Sequence, residues 1–300
     1  MSNLLSISDL SANKLKQLVK SAATLKADLK KSKDYKTPPL QDKSMAMIFD
    51  KSSLRTRLSF EIGMTQLGGH AVYLAPDDIK LGVRESIEDT ARVISRMADI
   101  IIARVSSHQA VSELARYSRV PVINAMTDQE HPCQALADLL TIYEKFGRLS
   151  GLKLTYLGDA DANVINSLAL ATELLGLELS IAAPKGYEMA DAMRKKVPSV
   201  KHYNDPTKAV KDSQVVITDT WVSMGKEAES RQRLKQLTPF QVTKKLMALA
   251  DSDAIFLHCL PAHRGSEVTA AVIDGPQSAV FDEAENRLHA QKAVVLDLLA

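Results

Sequence analysis

Residues 45–60, Met-Ala-Met-Ile-Phe-Asp-Lys-Ser-Ser-Leu-Arg-Thr-Arg-Leu-Ser-Phe, carry the reading on which the fold turns. The apolar run 45–49 has the length of a buried strand, residues 50–53 make a short polar turn, and a helical pattern opens near Leu54. A helix start of this kind is an anion site. Its first amides have no intrahelical partner, so Ser53, Thr56 and the local N–H groups can hold phosphate oxygens while Arg55 supplies charge and a planar fork. Taken alone, the same stretch is also a Ser-capped helix with solvated arginines.

The strand–turn–helix unit recurs along the chain. Short apolar runs at 45–49, 71–75, 100–105 and 120–124, then at 153–157, 179–183, 215–218 and 255–258, alternate with helical patterns. That alternation predicts an α/β fold of two doubly wound domains, each with a mainly parallel central sheet. Gly68-Gly69 closes the helix begun near Leu54, and Ser86 with Asp89 opens another through Met97 in capping-box fashion. A helix from about Pro132 to Phe146 ends at Gly147 and is followed by a Ser150-Gly151 break. The expected division is therefore 1–147 and 148–300, with a final helix, about 283–300, crossing back onto the first domain. The basic stretch from Lys26 to Lys36 reads as a solvated helix end and loop.

Bulk properties narrow the function classes. A chain of 300 residues, 45% hydrophobic and 25% charged, has length enough for two cores. Its 38 Lys plus Arg against 36 Asp plus Glu leave a net charge of only +2 without a long basic block, which argues against nucleic acid as a partner. The start, Met-Ser-Asn-Leu-Leu-Ser-Ile-Ser-Asp-Leu, has no basic flank before an apolar core, and no stretch approaches the roughly 18 apolar residues of a membrane span. Cys133 and Cys259 are distant and belong to no Cys-x-x-Cys unit, so neither a disulfide framework nor a zinc knuckle is expected. A soluble protein of the reducing cytoplasm fits these features.

Chemistry-bearing residues cluster at predicted strand ends. Arg104 closes the run Asp99-Ile-Ile-Ile-Ala-Arg, and ligands of parallel sheets bind beyond carboxyl ends of strands. His131-Pro-Cys-Gln134 begins a helix with Pro132 near its first position, so His131 and Gln134 lie one turn apart at that terminus. In the second half, Gly158-Asp-Ala-Asp-Ala-Asn163 is a strand-to-helix turn that lacks the G-x-G-x-x-G glycines, which excludes a dinucleotide fingerprint. Alone, Arg104 is also an ordinary surface arginine, Asp219 a helix cap and Cys259 a small buried hydrophobe. His258, Cys259 and His263 lack an evident fourth ligand for a metal.

Together, Ser53-Leu-Arg-Thr-Arg57, Ala103-Arg104-Val105 and His131-Pro-Cys-Gln134 resemble the carbamoyl-phosphate half of the aspartate/ornithine carbamoyltransferase family. Asp219-Thr-Trp-Val-Ser-Met-Gly225, His258-Cys-Leu-Pro261 and Glu285-Asn-Arg287 are similar to its ornithine branch. The resemblance runs over nearly the whole chain and implies an enzyme that condenses carbamoyl phosphate with L-ornithine to citrulline and phosphate. It further implies no metal or organic cofactor, and a homotrimer or multiple of trimers with active sites shared between subunits.

The resemblance also implies residue roles. An uncharged δ-amine attacks the carbonyl carbon, and the developing oxyanion meets donors from Thr56, Arg104 and His131. Ser53, Leu54 and Arg55, with the local amides, grip the phosphate; Gln134 meets the carbamoyl amine, and Arg287, opening the terminal helix, reaches the same site. Asn163 with the Met224 backbone takes the ornithine α-carboxylate, Asp219 with Ser223 takes the α-ammonium, and the Cys259-Leu260 pair positions the δ-amine without covalent catalysis. Two departures stand out. Lys80, in Asp77-Asp-Ile-Lys-Leu-Gly82, replaces an expected glutamine or histidine in a loop that family members extend into a neighbouring subunit, and touches phosphate as a point charge. Leu54 replaces a small hydroxyl residue, where backbone amides supply much of the grip. Putrescine or an acylated ornithine lacks the free amino-acid head that Asp219 and Asn163 suit. A nicotinamide dehydrogenase lacks its glycines here, and a non-catalytic relative would have no need of these polar residues.

Overall fold

A computed structural model describes residues 2–31, 38–221 and 230–299. The chain packs as two compact units, 1–140 together with 285–300, and 141–284. The helices Pro132–Phe146 and Val280–Leu299 each run from one unit into the other.

The first unit holds a parallel sheet of β1 (Ser44–Phe49), β2 (His70–Leu74), β3 (Ile100–Arg104) and β4 (Val122–Met126), in the order β2-β1-β3-β4. The central strands β1 and β3 are buried almost throughout, as a parallel sheet covered on both faces requires. Ile48, Ile101, Ala103, Val111, Leu114 and Val122 form the core of one face. The connection leaving β1 turns toward β2 and the one leaving β3 turns toward β4, so a crevice is expected beyond the carboxyl ends of β1 and β3. The turn to Ser53 and the side chain of Arg104 stand at those ends, and Phe49 pairs directly with Arg104. Beside Arg104 the register slips: Ala103 faces Asn124 whereas Arg104 faces Met126, a bulge that leaves Ala125 extra.

The second unit holds β5 (Lys153–Leu157), β6 (Glu178–Ala182), β7 (Lys201–Tyr203), β8 (Val215–Thr218) and β9 (Ile255–Leu257), parallel in the order β7-β6-β5-β8-β9. Its switch point lies between β5 and β8, where the 158–163 turn and Asp219 begin. Leu157, Val216, Phe256, Val268 and Ile273 are among the residues of its core.

Both sheets and all eight apolar runs appear, with instructive shifts. β4 begins at Val122 and not at Val120, because the Val120 N–H donates to Ser118 Oγ (3.1 Å) and Pro121 has no N–H to offer a ladder. Lys201-His-Tyr203 escapes an apolar-run search, since an edge strand needs no buried face. The helix opened by Ser86 stops at Ile94, where tight turns take over. The terminal helix starts at Val280, which puts Arg287 two turns inside it and not at its opening. Lys26 corrects the solvated reading of its stretch: it is buried, donating Nζ–H to Asn286 Oδ1 at 2.7 Å. Residues 32–37 lie outside the described residues.

A left-handed glycine and a buried histidine make the first unit sensitive to sequence and pH. Gly68 sits at φ +89°, where a Cβ would stand 2.1 Å from Pro38 Cβ, so Gly68→Ala should lower the melting temperature by several degrees. His289 is held down to about 4, first by burial and then by Lys292 and Lys26, against the pull of Glu285. A lowered folded-state value means stability that is complete above the ordinary imidazole range near 6.5 and is lost as pH falls toward 4. Thermal melts should therefore weaken between pH 6.5 and 4, and His289→Gln should flatten that slope; equal slopes would remove His289 as a cause.

Candidate active site

In the first unit the helix Leu54–Gln66 begins as its sequence dictates, with Ser53 in extended backbone and its Oγ accepting the Thr56 N–H at 3.3 Å. Thr56 is thereby fixed in the first turn, buried, with its hydroxyl inward. Two guanidiniums converge on that hydroxyl: Arg104 Nη1 from the end of β3 and Arg287 Nη2 from the terminal helix each donate to Thr56 Oγ1 at 3.1 Å. Arg287 Nη1 also donates to Gln134 Oε1 at 2.7 Å, and Gln134 Nε2 donates to Asp138 Oδ1 at 2.8 Å one turn along the same helix. Neither arginine is a surface residue; Arg104 is 9% exposed and Arg287 3%.

His131 completes this group. Its carbonyl accepts the Gln134 N–H at 3.0 Å at the start of helix Pro132–Phe146, and the side chain is buried. Burial pushes its pKa well below the usual imidazole range, and the charges of Arg287, Arg104 and Arg55 push the same way. The ring is accordingly neutral at neutral pH, able to donate one N–H without adding a fourth positive charge. The Cys133 thiol is pushed up to about 12 by burial and donates to the Asn124 carbonyl.

In the second unit Asp219 and Cys259 meet at the ends of β8 and β9, Cys259 Sγ donating to Asp219 Oδ1 at 3.0 Å. Asn163 is the first residue of helix Asn163–Leu175, beyond β5. Gly158 is required where it stands: at φ +120°, a Cβ would lie 2.7 Å from Trp221 Nε1. Leu260 adopts a left-handed backbone, φ +58°, and its N–H donates to His258 Nδ1 at 2.9 Å. The ring proton of His258 therefore sits on Nε2, facing Glu267 Oε1 at 3.2 Å. Asp219, His258 and Cys259 bring ligand atoms within 4.8 Å of one another, yet both nitrogens of His258 are engaged, which speaks against a cation there.

The structure thus gathers Thr56, Arg104, His131, Gln134 and Arg287 around Ser53 and Arg55 in one unit, and Asp219, Cys259 and Leu260 in the other. Lys80 ends a one-turn helix after the edge strand β2, at φ +42°, its N–H donating to the Pro76 carbonyl at 3.0 Å, and it is not among the described hydrogen-bond partners of Thr56. Leu54 is 74% exposed on the outer face of its helix and can offer only its amide. Ser223 and Met224 lie outside the described residues. Sequence reasoning missed Asp138, whose signal was its i+4 spacing from Gln134. It also missed the buried Arg233, which pairs with Asp159 and donates Nε–H to the Trp221 carbonyl at 2.8 Å, tying the turns after β5 and β8 together. No local pattern marked Arg233.

Comparison with known proteins gives a consistent result. The carbamoyl-P binding domain of the aspartate/ornithine carbamoyltransferase family matches residues 2–144, and the Asp/Orn binding domain of that family matches residues 150–298. The chain is 48% identical to an ornithine carbamoyltransferase of Anoxybacillus flavithermus, over 99% of this chain and 96% of that protein. Among solved structures it is similar to the ornithine carbamoyltransferase of Pyrococcus furiosus, with TM-score 0.93 and 48% identity over 98% of this chain and 95% of that one. The anabolic ornithine carbamoyltransferase of Campylobacter jejuni gives TM-score 0.92 and 40% identity over 99% of each chain. The chain belongs to the aspartate/ornithine carbamoyltransferase family.

Proposed function

We propose that this chain transfers the carbamoyl group of carbamoyl phosphate to the δ-amine of L-ornithine, giving L-citrulline and phosphate. The observation that carries the reading is the convergence of Arg104 and Arg287 on Thr56 Oγ1, next to a neutral His131. Guanidiniums converging on one hydroxyl beside a neutral ring make a positive, donor-rich place that suits an anion.

Each step then has a group. Ser53, the amides of Leu54 and Arg55, and the Arg55 side chain hold the phosphate within the positive field of Arg104 and Arg287, with Lys80 as an additional point charge. Thr56, Arg104 and the N–H of His131 polarise the carbonyl oxygen and receive its charge as the tetrahedral intermediate forms. Gln134 Oε1, steadied by Arg287 and Asp138, addresses the carbamoyl amine. Asn163 with Met224 takes the α-carboxylate, Asp219 with Ser223 takes the α-ammonium, and Cys259 with the Leu260 carbonyl orients the nucleophile. The C–N bond forms, the C–O bond to phosphate breaks, and the leaving dianion accepts the proton shed by the amine. Because His131 stays neutral, the acid limb of the rate belongs to the protonated amine of ornithine.

The same proposal places the enzyme in the cytoplasm, in the biosynthetic direction, as a homotrimer or multiple of trimers that shares active sites between subunits. The biosynthetic direction is supported by the likeness to the Campylobacter protein, described as anabolic. Assembly is supported by Leu54, Leu58 and Ile62, which repeat every four residues on one helix face and are 74%, 53% and 40% exposed. No helix among the described residues is long and apolar enough to cross a membrane.

The purified chain should form citrulline from carbamoyl phosphate and L-ornithine, and should not carbamoylate putrescine or N-acetylornithine; the opposite preference would overturn the reading. Arg104→Ala should lower kcat by roughly 100-fold to 1000-fold, the usual cost of an oxyanion donor, with an unchanged melting temperature. Asp219→Asn should raise KM for ornithine at least tenfold and leave that for carbamoyl phosphate near its original value. Leu58→Asp should convert the sedimenting species to a smaller one.

A further inference from the structure

The residue before His131 has no part in the chemistry above, yet it is among the most firmly held charged groups of the first unit. Glu130 is 5% exposed. Its Oε1 accepts the Ser6 hydroxyl at 2.5 Å and its Oε2 accepts the Ile7 N–H at 3.1 Å, across more than a hundred residues of sequence. Ser6 is itself fixed, since its Oγ accepts the Ser8 N–H at 3.0 Å and its N–H donates to Asp9 Oδ2 at 2.9 Å. The segment bearing Ser6 is anchored to β4: Leu4 N–H donates to the Val122 carbonyl at 3.0 Å, Asn124 N–H to the Leu4 carbonyl at 2.8 Å, and Asn124 Nδ2 to the Leu5 carbonyl at 2.9 Å.

The backbone of Glu130 is closed as tightly. Its carbonyl accepts the Thr127 N–H at 2.9 Å, and its N–H donates to Thr127 Oγ1 at 3.2 Å, making 127–130 a sealed turn. Thr127 is fully buried, and its Oγ1 also meets His108 Nδ1 at 3.0 Å. On the other side His131 is fixed by the helix it begins. The imidazole therefore enters the arginine cluster from a backbone held behind by the carboxylate and ahead by the helix.

We infer that Glu130 is a positioning residue for His131, using the N-terminal segment as a brace that aims the imidazole at the carbonyl oxygen. This rests on the proposed carbamoyl transfer. An oxyanion donor acts only if it stands within a few tenths of an ångström of where charge develops, so losing the brace affects the transition state more than ground-state binding. Glutamine can keep an acceptor for the Ile7 N–H, so it retains part of the brace, whereas alanine retains none.

The test is a double-mutant cycle in turnover. Glu130→Ala should lower kcat by roughly tenfold to 100-fold with KM for ornithine within about twofold. Glu130→Gln should recover part of the loss, and Ser6→Ala should show a smaller one. In a His131→Asn background, Glu130→Ala should cost less than about threefold, because the group it aims is gone. An equal loss in both backgrounds, or wild-type kcat in Glu130→Ala, overturns the inference. If Glu130→Ala does not fold, Ser6→Ala and Glu130→Gln are compared across the two backgrounds instead, and an equal loss in both overturns the inference in the same way. Absence of citrulline with the unmodified chain overturns the functional reading itself and this inference with it; turnover there with additive losses overturns this inference alone.

Discussion

Two guanidinium groups share one threonine hydroxyl, and most of the first unit is arranged to hold them there. Arg104 reaches Thr56 Oγ1 because β3 ends beside β1, whose turn delivers Ser53 and then Thr56 into a helix start. Arg287 reaches it from a segment far along the chain, the terminal helix, which packs with the first unit from Glu285 onward. Isolated burial of either arginine would be expensive, and burial of both beside each other more so. The arrangement makes chemical sense as a receptor for negative charge, and the displaced pKa of His131 is its internal witness, lowered by burial and by these same cations. A neutral imidazole among three arginines can donate a hydrogen bond where a protonated one would add repulsion.

The parallel sheets explain why such groups come from distant stretches. In each unit the strand order reverses direction once, between β1 and β3 in one and between β5 and β8 in the other. The residues proposed to act sit at those carboxyl ends: the Ser53 turn and Arg104, then Asn163 and Asp219. Burial of the central strands makes these ends rigid, and rigidity is what a hydrogen-bonding site needs when its benefit depends on distances held to tenths of an ångström. Supporting contacts repeat the theme. Asp138 holds Gln134, Arg233 joins the turns after β5 and β8, and His258 fixes the left-handed Leu260.

Much of this was legible in the sequence because it is local. A strand that feeds a Ser-capped helix, a Pro at the first helical position, and an arginine closing an apolar run are each written in a few adjacent residues, and each was placed as expected. What depends on tertiary partners was hidden. Lys26 looks like any lysine of a basic stretch until Asn286 is brought to it. Glu130 and the serine at position 6 acquire their meaning only from a contact made across more than a hundred residues. The displacement of β4 by two residues had a local cause, Ser118 capturing the Val120 N–H ahead of Pro121, but an apolar pattern does not register hydrogen bonds.

The central claim is that the Thr56–Arg104–Arg287 group is an anion receptor, and calorimetric titration with inorganic phosphate tests it most directly. The account predicts saturable binding that weakens as ionic strength rises and falls at least tenfold in Arg287→Met, with the fold intact. Phosphate affinity that is unchanged by Arg287→Met, or indifferent to salt, would contradict it.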